Sequence, residues 1–422
     1  EVGNKHVISD LYQMQSLSLR AKIGMTKRRI NEWVDMYGED GVYVSFSGGK
    51  DSTVLLDIAR QLYPNIKAVF VDTGLEYPEI RLFVKTVSNV DWIRPKLTFR
   101  QVIEKYGYPF ISKEVSECVY GAKKFLRGGG GDSQFYRKPP GCGEYAKNNS
   151  GGGQTTSIEN LGDWESIPVR VKILFGAMTK GNIPNGERSK YSCERYKFFI
   201  DCPYEISSEC CKVMKKAPAH SYAKSTGRKP MTAQMATESR LRTQQWLKNG
   251  CNGFDMKSPI SNPMSFWTEQ DVLTYIRLYG DDMVRRREEQ SDEYMRYGDR
   301  YVSRKTGATM QSAEIGRPIC SVYGEIVTED EEHGQMTLAD VTDLGIFDFG
   351  RPLLKTTGCE RTGCMFCGYG CHLEKSPGRF ERMKITHPKQ YEYIMKPWDD
   401  GGLGFKEIID WINEHGNLNI RY

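Results

Sequence analysis

The feature that most constrains this chain is a glycine-containing turn between a strand-like run and a helix-like run. The stretch reads VYVSFSGGKDSTVLLDIARQLY over residues 42–63, and the turn is SGGKDS at 47–52. Its two glycines let the backbone approach an anion closely, and a helix N-terminus supplies partial positive charge. Lys50 adds a full charge, while Ser47 and Ser52 offer hydroxyl donors. The turn therefore predicts a phosphate-binding loop.

This loop differs from the Walker P-loop. That motif requires a glycine, four residues, and then Gly-Lys-Ser/Thr. Here Asp51 follows Lys50, and Val44 stands where the first glycine would be. The phosphate loop is therefore of another type.

The hydrophobic pattern around the loop predicts the fold class. Short apolar runs at 42–46, 67–71 and 91–94 alternate with helix-like runs at 52–62 and 78–87. The first of these helices carries an apolar stripe, as expected of a helix packed on a sheet, made of Val54, Leu55, Ile58, Ala59 and Leu62. Such alternation predicts an α/β fold with a doubly wound, mostly parallel sheet.

The remaining pattern suggests how the 422 residues divide. An N-terminal helical segment is predicted at 1–40, a nucleotide-binding domain at 41–290 and a smaller cysteine-rich module at 300–422. Within the second, a glycine-rich insertion covers 127–165, and Thr268 is expected to cap a helix over 268–279.

Composition excludes some classes of protein. No run approaches the ~18–20 apolar residues of a membrane span, and no secretory signal is visible after Glu1. A cytoplasmic protein is therefore expected. The net charge of +5 and pI near 8.5 are compatible with an anionic partner such as a nucleotide or nucleic acid.

The twelve cysteines are expected to be thiols and metal ligands rather than disulfides. A cysteine-rich segment, TTGCERTGCMFCGYGCH at 356–372, contains four of them, and Cys210 and Cys211 are adjacent. Zinc and an iron–sulfur cluster are both chemically suited to such a set. The scattered cysteines are expected to be buried, small apolar side chains: Cys118, Cys142, Cys193, Cys202, Cys251 and Cys320.

The hexapeptide SGGKDS resembles the PP-loop of the ATP pyrophosphatases, which have the adenine-nucleotide α-hydrolase fold. Three further stretches resemble the sulfate-assimilation branch, which includes the reductases of 3′-phosphoadenylylsulfate (PAPS) and adenylylsulfate (APS). They are VFVDTGLEYPEI at 69–80, YGYPFISKE at 106–114 and PISNPMSFWTEQDVLTYI at 259–276. The resemblance covers about 40–290 and implies ATP as the nucleotide, with Mg²⁺.

The resemblance also implies site residues. Lys50, Asp51 and Asp72 are the catalytic candidates, and the two aspartates are expected to hold Mg²⁺. MATESRLRTQQW at 235–246 matches a basic, substrate-facing stretch, although an exposed helix with i,i+4 ion pairs would look the same. The nucleotide-binding candidates are Ser47, Gly48, Gly49, Lys50, Asp51, Ser52, Asp72, Thr73, Gly74, Arg240 and Arg242, with Glu238 and Ser239 beside them.

For the metal, APS reductases bind a 4Fe–4S cluster with a Cys-Cys pair and a later Cys-x-x-Cys. Three ligand sets are open, and Cys364 and Cys367 belong to all of them. One set adds Cys210 and Cys211, and another adds Cys359 and Cys371. The preferred set is mixed: Cys211, Cys359, Cys364 and Cys367.

Two departures from the reductases shape the functional prediction. Reductases use a cysteine near the C-terminus, whereas no cysteine follows Cys371 here, and they often carry a degenerate first loop, which is intact here. An ATP pyrophosphatase is therefore predicted, which adenylates a substrate and supports cluster-dependent sulfur transfer. In these features the chain resembles the PP-loop enzyme of DNA phosphorothioation systems. Nucleic acid is a candidate acceptor and a cysteine desulfurase a candidate sulfur donor.

Two alternatives remain at this point. One is an APS or PAPS reductase that forms sulfite with an internal cysteine. The other is a non-catalytic nucleotide- or redox-sensing module. The sequence leaves the oligomeric state open.

Overall fold

A computed structural model describes residues 4–127, 158–328 and 353–422. The chain forms two compact units, each built from two segments. The first unit comprises Glu1–Arg94 and Pro218–Met365, and the second comprises Pro95–Ala217 and Phe366–Tyr422. The predicted domains instead follow one another along the chain and stay a prediction. Most of the insertion predicted at 127–165 lies outside the described residues.

The helices are numbered in chain order: α1 Ile8–Gln15, α2 Leu19–Tyr37, α3 Lys50–Leu62, α4 Pro78–Lys85, α5 Phe99–Tyr106, α6 Lys113–Leu126, α7 Val169–Leu174, α8 Glu209–Cys211, α9 Ala217–Thr226, α10 Arg240–Asn249, α11 Glu269–Glu289, α12 Arg379–Thr386, α13 Pro388–Met395 and α14 Phe405–Gly416. A π-helical turn, Lys212–Lys216, joins α8 to α9. Within the described ranges, no helix has the length and hydropathy needed to cross a membrane.

The strands are likewise numbered in chain order: β1 Val42–Ser45, β2 Ala68–Val71, β3 Val90–Ile93, β4 Phe110–Ile111, β5 Lys229–Met231, β6 Asn252–Gly253, β7 Ile260–Ser261, β8 Tyr294–Tyr297, β9 Arg300–Ser303, β10 Ile326–Thr328, β11 Leu354–Thr356 and β12 Gly368–Tyr369. The predicted strands and helices of the first 94 residues are confirmed, with ends that differ by a few residues.

A six-stranded sheet organises the first unit, in the order β3-β2-β1-β5-β7-β6. The pairs β3–β2, β2–β1, β1–β5 and β5–β7 are parallel, and only the edge strand β6 is antiparallel. Register is fixed around β1, where Val44 faces Ala68 on one side and Met231 on the other. The predicted α/β class with a mostly parallel sheet is confirmed.

The core of the first unit lies where helices cover this sheet. The predicted stripe of α3 is buried at Val54, Leu55, Ile58 and Ala59, and Leu62 packs partly buried against it. Thr268 caps α11 as expected, since its hydroxyl accepts a hydrogen bond from the backbone N–H of Asp271. The helix then continues ten residues beyond the predicted end at 279, to Glu289.

The second unit has a core of its own. The short strands β4 and β12 pair in parallel, with Phe110 beside Gly368. The Phe405 ring packs edge-on against Tyr108 with centroids 5.6 Å apart, and the Tyr108 hydroxyl donates to the carbonyl of Leu403 at 2.8 Å. Aromatic packing across long sequence separations therefore joins the two segments of this unit.

Candidate nucleotide-binding site

The phosphate loop lies at the point where the strand order of the sheet reverses. Strand β1 is central, and the strands that follow it in sequence are added on one side as β2 and β3 and on the other as β5. Ligands of open α/β sheets bind outside the carboxyl ends of the strands at such a switch point. The segments that follow β1, β2 and β5 therefore lie close together at the carboxyl ends of these strands.

The serines shape the loop from within. The Ser47 N–H donates to the Ser52 hydroxyl at 3.2 Å, and that hydroxyl donates to the carbonyl of Gly49 at 2.9 Å. The Gly49 N–H in turn donates to the Ser47 hydroxyl at 3.3 Å. These bonds tie Ser47 and Gly49 to the first turn of α3, where backbone N–H groups lie at the helix N-terminus.

Gly48 is required by its surroundings. Its φ is +73°, a conformation that side chains other than glycine rarely adopt. A Cβ at this position would lie 2.8 Å from Cγ2 of Val84 and 2.9 Å from Cγ2 of Ile80. The sequence predicts a glycine here for close approach to an anion, and α4 supplies a second, purely steric reason.

Lys50 is buried, with 2% of its surface exposed. Its Nζ donates to the carbonyl of Glu360 at 2.7 Å and lies 3.1 Å from the carboxylate of Glu269. An ammonium group has three N–H donors. Two of them are therefore directed by these neighbours, and the ammonium group also lies 5.4 Å from the centroid of the Tyr323 ring.

Tyr323 completes the loop from a distant part of the chain. Its hydroxyl accepts a hydrogen bond from the Lys50 backbone N–H at 3.1 Å and lies 2.6 Å from the Thr362 hydroxyl. A Cβ on Gly49 would come within 3.2 Å of both hydroxyls. The second glycine therefore makes room for the chain's own residues.

Two carboxylates near the loop have unused oxygens. Within the described ranges, no hydrogen-bond donor reaches the buried Oδ1 of Asp51 or of Asp72. The other oxygen of Asp72 accepts from Arg81 at 3.0 Å and from Arg94 at 3.2 Å. Burial raises the pKa of Asp51, whereas Lys50 opposes that rise. Buried, unsatisfied carboxylate oxygens fit the ligand preference of Mg²⁺.

The turn after β2 is held by a glutamate that the sequence did not single out. Thr73 donates through its hydroxyl to Glu76 at 2.7 Å and through its N–H at 3.1 Å. Gly74 follows with φ +75°, and a Cβ there would meet nothing within 4 Å. Its conformation, rather than crowding, favours glycine at this position.

The basic stretch is divided between two environments. Ser239 caps α10, and Arg240, the first residue of that helix, is exposed. Arg242 pairs with Glu238, which also accepts a hydrogen bond from the Met235 N–H at 2.8 Å. Arg242 acts electrostatically on Asp51 and therefore lies near the loop.

The cysteine candidates divide between the two units. In the second unit, the hydrogen bond from Cys210 and the charge of Lys215 lower the pKa of Cys211 to about 6. Burial raises the pKa of Cys367, and Cys211 contributes to that rise, so these two thiols are neighbours. Cys371 is buried, and its Sγ lies 2.9 Å from the carbonyl of Gly368.

In the first unit, Cys359 lies 3.7 Å from the hydroxyl of Tyr77, while Cys364 is half-buried. Among the described residues, no three His, Cys, Asp or Glu side chains are arranged to hold a metal ion. No chemical step is therefore assigned to a metal at these cysteines. The scattered cysteines that the structure describes are buried, whereas Cys142 lies outside those residues.

Comparison with known proteins agrees with this geometry. Residues 41–119, which contain the phosphate loop and the turn after β2, match the phosphoadenosine phosphosulfate reductase domain. This part of the chain is similar to that domain, and it makes up about a fifth of the 422 residues. The matched residues include β1, the phosphate loop and α3.

Three relatives show how far the likeness extends. An adenosine 5′-phosphosulfate reductase of Staphylococcus epidermidis is 28% identical over 97 residues, 22% of this chain and 40% of the relative. Adenosine 5′-phosphosulfate reductase 1 of Bacillus subtilis is 29% identical over 90 residues, 20% of this chain and 38% of the relative. An uncharacterised protein of Methanocaldococcus jannaschii is 36% identical over 73 residues, 16% of this chain and 18% of the relative. The chain thus spans about two-fifths of the reductases it matches.

Sequence reasoning missed several residues at the loop. Glu269 lies within the quoted stretch 259–276, directly after the Thr268 cap, and that position was a usable signal. Glu360 and Thr362 lie within the quoted cysteine-rich segment at 356–372, whereas Tyr323 lies in no quoted stretch.

Proposed function

We propose that this chain is an ATP pyrophosphatase that adenylates an acceptor and prepares it for sulfur transfer. One observation carries the proposal: the intact SGGKDS loop holds a buried Lys50, and Asp51 and Asp72 each have a buried carboxylate oxygen that no donor among the described residues reaches. A loop of this kind suits a polyphosphate, and the carboxylates suit its metal ion.

In the proposed step, an acceptor oxygen attacks the α-phosphorus of ATP. A new oxygen–phosphorus bond forms, the bond to the bridging oxygen breaks, and pyrophosphate leaves. Lys50 and the loop N–H groups neutralise the charge that develops on pyrophosphate. Because Glu360 and Glu269 already orient the ammonium group, little reorganisation is needed when the phosphate binds.

Asp51 and Asp72 would hold Mg²⁺ together with phosphate oxygens. The ion supplies charge neutralisation to the phosphates when it is bound. Asp72 also accepts hydrogen bonds from Arg81 and Arg94, which fix its carboxylate. Asp51 lies in the first turn of α3, where the partial charge of the helix favours its ionised form.

The second half of the proposed reaction transfers sulfur. AMP leaves with the activated oxygen, and reduced sulfur takes its place on the acceptor. Nucleic acid is the proposed acceptor, and a cysteine desulfurase is the proposed source of sulfur. Two thiols reduce the persulfide sulfur to the sulfide level and form a disulfide. A 4Fe–4S cluster bound by Cys211, Cys359, Cys364 and Cys367, with Cys210 and Cys371 as alternates, is a separate proposal. It is supported by the resemblance and by the proximity of Cys211 to Cys367.

A second candidate is reduction of APS or PAPS to sulfite. The two named relatives that are adenosine 5′-phosphosulfate reductases favour it. It requires a thiol donor but no ATP. A third candidate, nucleotide binding without turnover, is an outcome of the same experiment.

The test measures pyrophosphate and sulfite from anaerobically purified protein supplied with ATP, APS or PAPS, each with Mg²⁺ and a thiol. We expect pyrophosphate from ATP, lowered about 100-fold or more in Lys50→Met, which keeps much of the buried stem. Lys67→Ala is the matched control. Lys67 precedes β2 and therefore lies at the amino end of that strand, whereas the phosphate loop follows the carboxyl end of β1. Sulfite formation without ATP would instead support the reductase, and nucleotide binding without either product would support the sensor.

A further inference from the structure

Residues 360–362 of the cysteine-rich segment are tied to the phosphate loop on both sides of Arg361. The carbonyl of Glu360 accepts a hydrogen bond from the Lys50 ammonium at 2.7 Å. The Thr362 hydroxyl lies 2.6 Å from the Tyr323 hydroxyl, which accepts a hydrogen bond from the Lys50 backbone N–H. Three residues later, the Met365 N–H donates to the carbonyl of Leu75 at 2.8 Å, next to the turn after β2. The backbone of Arg361 is therefore fixed beside the loop.

The guanidinium of Arg361 faces the same groups as Arg242. Its Nη1 lies 4.0 Å from the carboxylate of Glu238, which also pairs with Arg242. Both guanidinium groups act on Asp51, and burial together with the charge of Arg361 lowers the pKa of Arg242. Arg242 and Arg361, which are distant in the sequence, thus share the carboxylate of Glu238 as an ion-pair partner.

This arrangement is not accounted for by folding stability. The Arg361 side chain is 61% exposed, and an exposed ion pair at 4.0 Å stabilises a fold little. Bringing a second guanidinium towards the first costs energy, because like charges repel. An anion bound between them would remove that cost, and the planar fork of arginine matches phosphate oxygens two at a time.

We propose that Arg361 binds the phosphate-side anion of an adenine nucleotide held by the loop, with Arg242 as the second guanidinium and Glu238 as the group that positions both. The proposal rests on the proposed function for its site. The ligand chemistry is a chain of at least two linked acid groups, as in the triphosphate of ATP or the phosphosulfate of APS. We expect a single phosphate, as in AMP, to engage the loop without Arg361.

The test is calorimetric binding of ATP, APS and AMP to the wild type, Arg361→Ala and Arg361→Lys. Arg285→Ala is the matched control: it removes the same charge from an exposed residue of α11 that lies 16 residues beyond Glu269, about 24 Å along the helix. We expect Arg361→Ala to weaken binding of ATP or APS about tenfold or more, with AMP changed by less than about twofold. Arg361→Lys should recover part of the loss, and Arg285→Ala should bind as the wild type does.

Equal affinity of Arg361→Ala and the wild type for both ATP and APS would overturn the proposal, as would a wild type that binds neither. Dependence on Arg361 with ATP supports a triphosphate ligand, and dependence with APS alone supports a phosphosulfate. If ATP binding depends on Arg361 but no pyrophosphate is released, the inference holds and the proposed function fails. Thermal unfolding of each variant checks that an exposed substitution has left the fold intact.

Discussion

The phosphate loop and the cysteine-rich segment both contain several candidate site residues within a short stretch, but only the loop has a defined internal arrangement. The loop closes on itself through hydrogen bonds within residues 47–52, and its lysine finds partners in the same unit. The cysteine candidates are shared between the two units, and no described group of three is arranged as a metal site. A backbone motif can be complete without its ligand, whereas a set of thiolates repels itself until a metal arrives.

The largest effect we expect concerns the cysteines. Cys364→Ser and Cys367→Ser, each prepared anaerobically, should lose nearly all bound iron and sulfide, because both residues belong to every ligand set considered. Cys211→Ser and Cys359→Ser should behave alike, while Cys210→Ser and Cys371→Ser should retain the metal. Cys320→Ser is the control, since Cys320 is fully buried.

A wild-type protein that contained no metal would contradict the cluster proposal. Stoichiometric zinc instead of iron would overturn the cluster proposal but leave the phosphate loop untouched.

The next effect separates crowding from conformation within the nucleotide site. Gly48→Ala should lower the free energy of unfolding by about 2–4 kcal/mol, because it adds overpacking against Val84 and Ile80 to an unfavourable φ. Gly74→Ala has nearly the same φ but an open surrounding, so it should cost only about 1 kcal/mol. Chemical denaturation measures both, and equal losses would contradict the steric argument.

Asp51→Asn tests whether the unused carboxylate oxygens hold Mg²⁺. We expect pyrophosphate release to fall about 10- to 100-fold, with a higher Mg²⁺ concentration at half-maximal rate, because a charged ligand is lost. Asp282→Asn, an exposed residue of α11, serves as control. An unchanged Mg²⁺ dependence would remove Asp51 from the proposed metal site.

The smallest expected effect concerns the hydrogen bond from the Lys50 backbone N–H to the Tyr323 hydroxyl. Tyr323→Phe should destabilise the protein by about 1–2 kcal/mol, because the buried Lys50 N–H loses its acceptor. Tyr297→Phe, on a residue 70% exposed, should change nothing measurable. Thermal or chemical unfolding of the pair suffices, and identical stabilities would mean that this hydrogen bond contributes nothing net.

The comparison also explains what could be predicted from the sequence. The loop, the parallel sheet and the buried stripe of α3 follow from short-range patterns, because adjacent residues determine backbone conformation and helix faces. The contacts of Lys50 with Glu360 and Tyr323 could not be predicted from short-range patterns, because these residues lie more than 200 positions away. The ligand set could not be chosen either, since cysteine spacing alone allows several combinations.

The Lys50–Tyr323 hydrogen bond joins residues 273 positions apart, and the Lys50–Glu360 bond joins residues 310 apart. During synthesis, the glycine turn is therefore made early, whereas Tyr323 and Glu360, which contact it, are added only after most of the chain has been synthesised. Fragments that keep the family-like stretch 41–119 and stop before Tyr323 would lack the Tyr323 and Glu360 contacts of Lys50. We therefore expect the smallest piece recognisable by sequence to be smaller than the smallest piece able to bind a nucleotide.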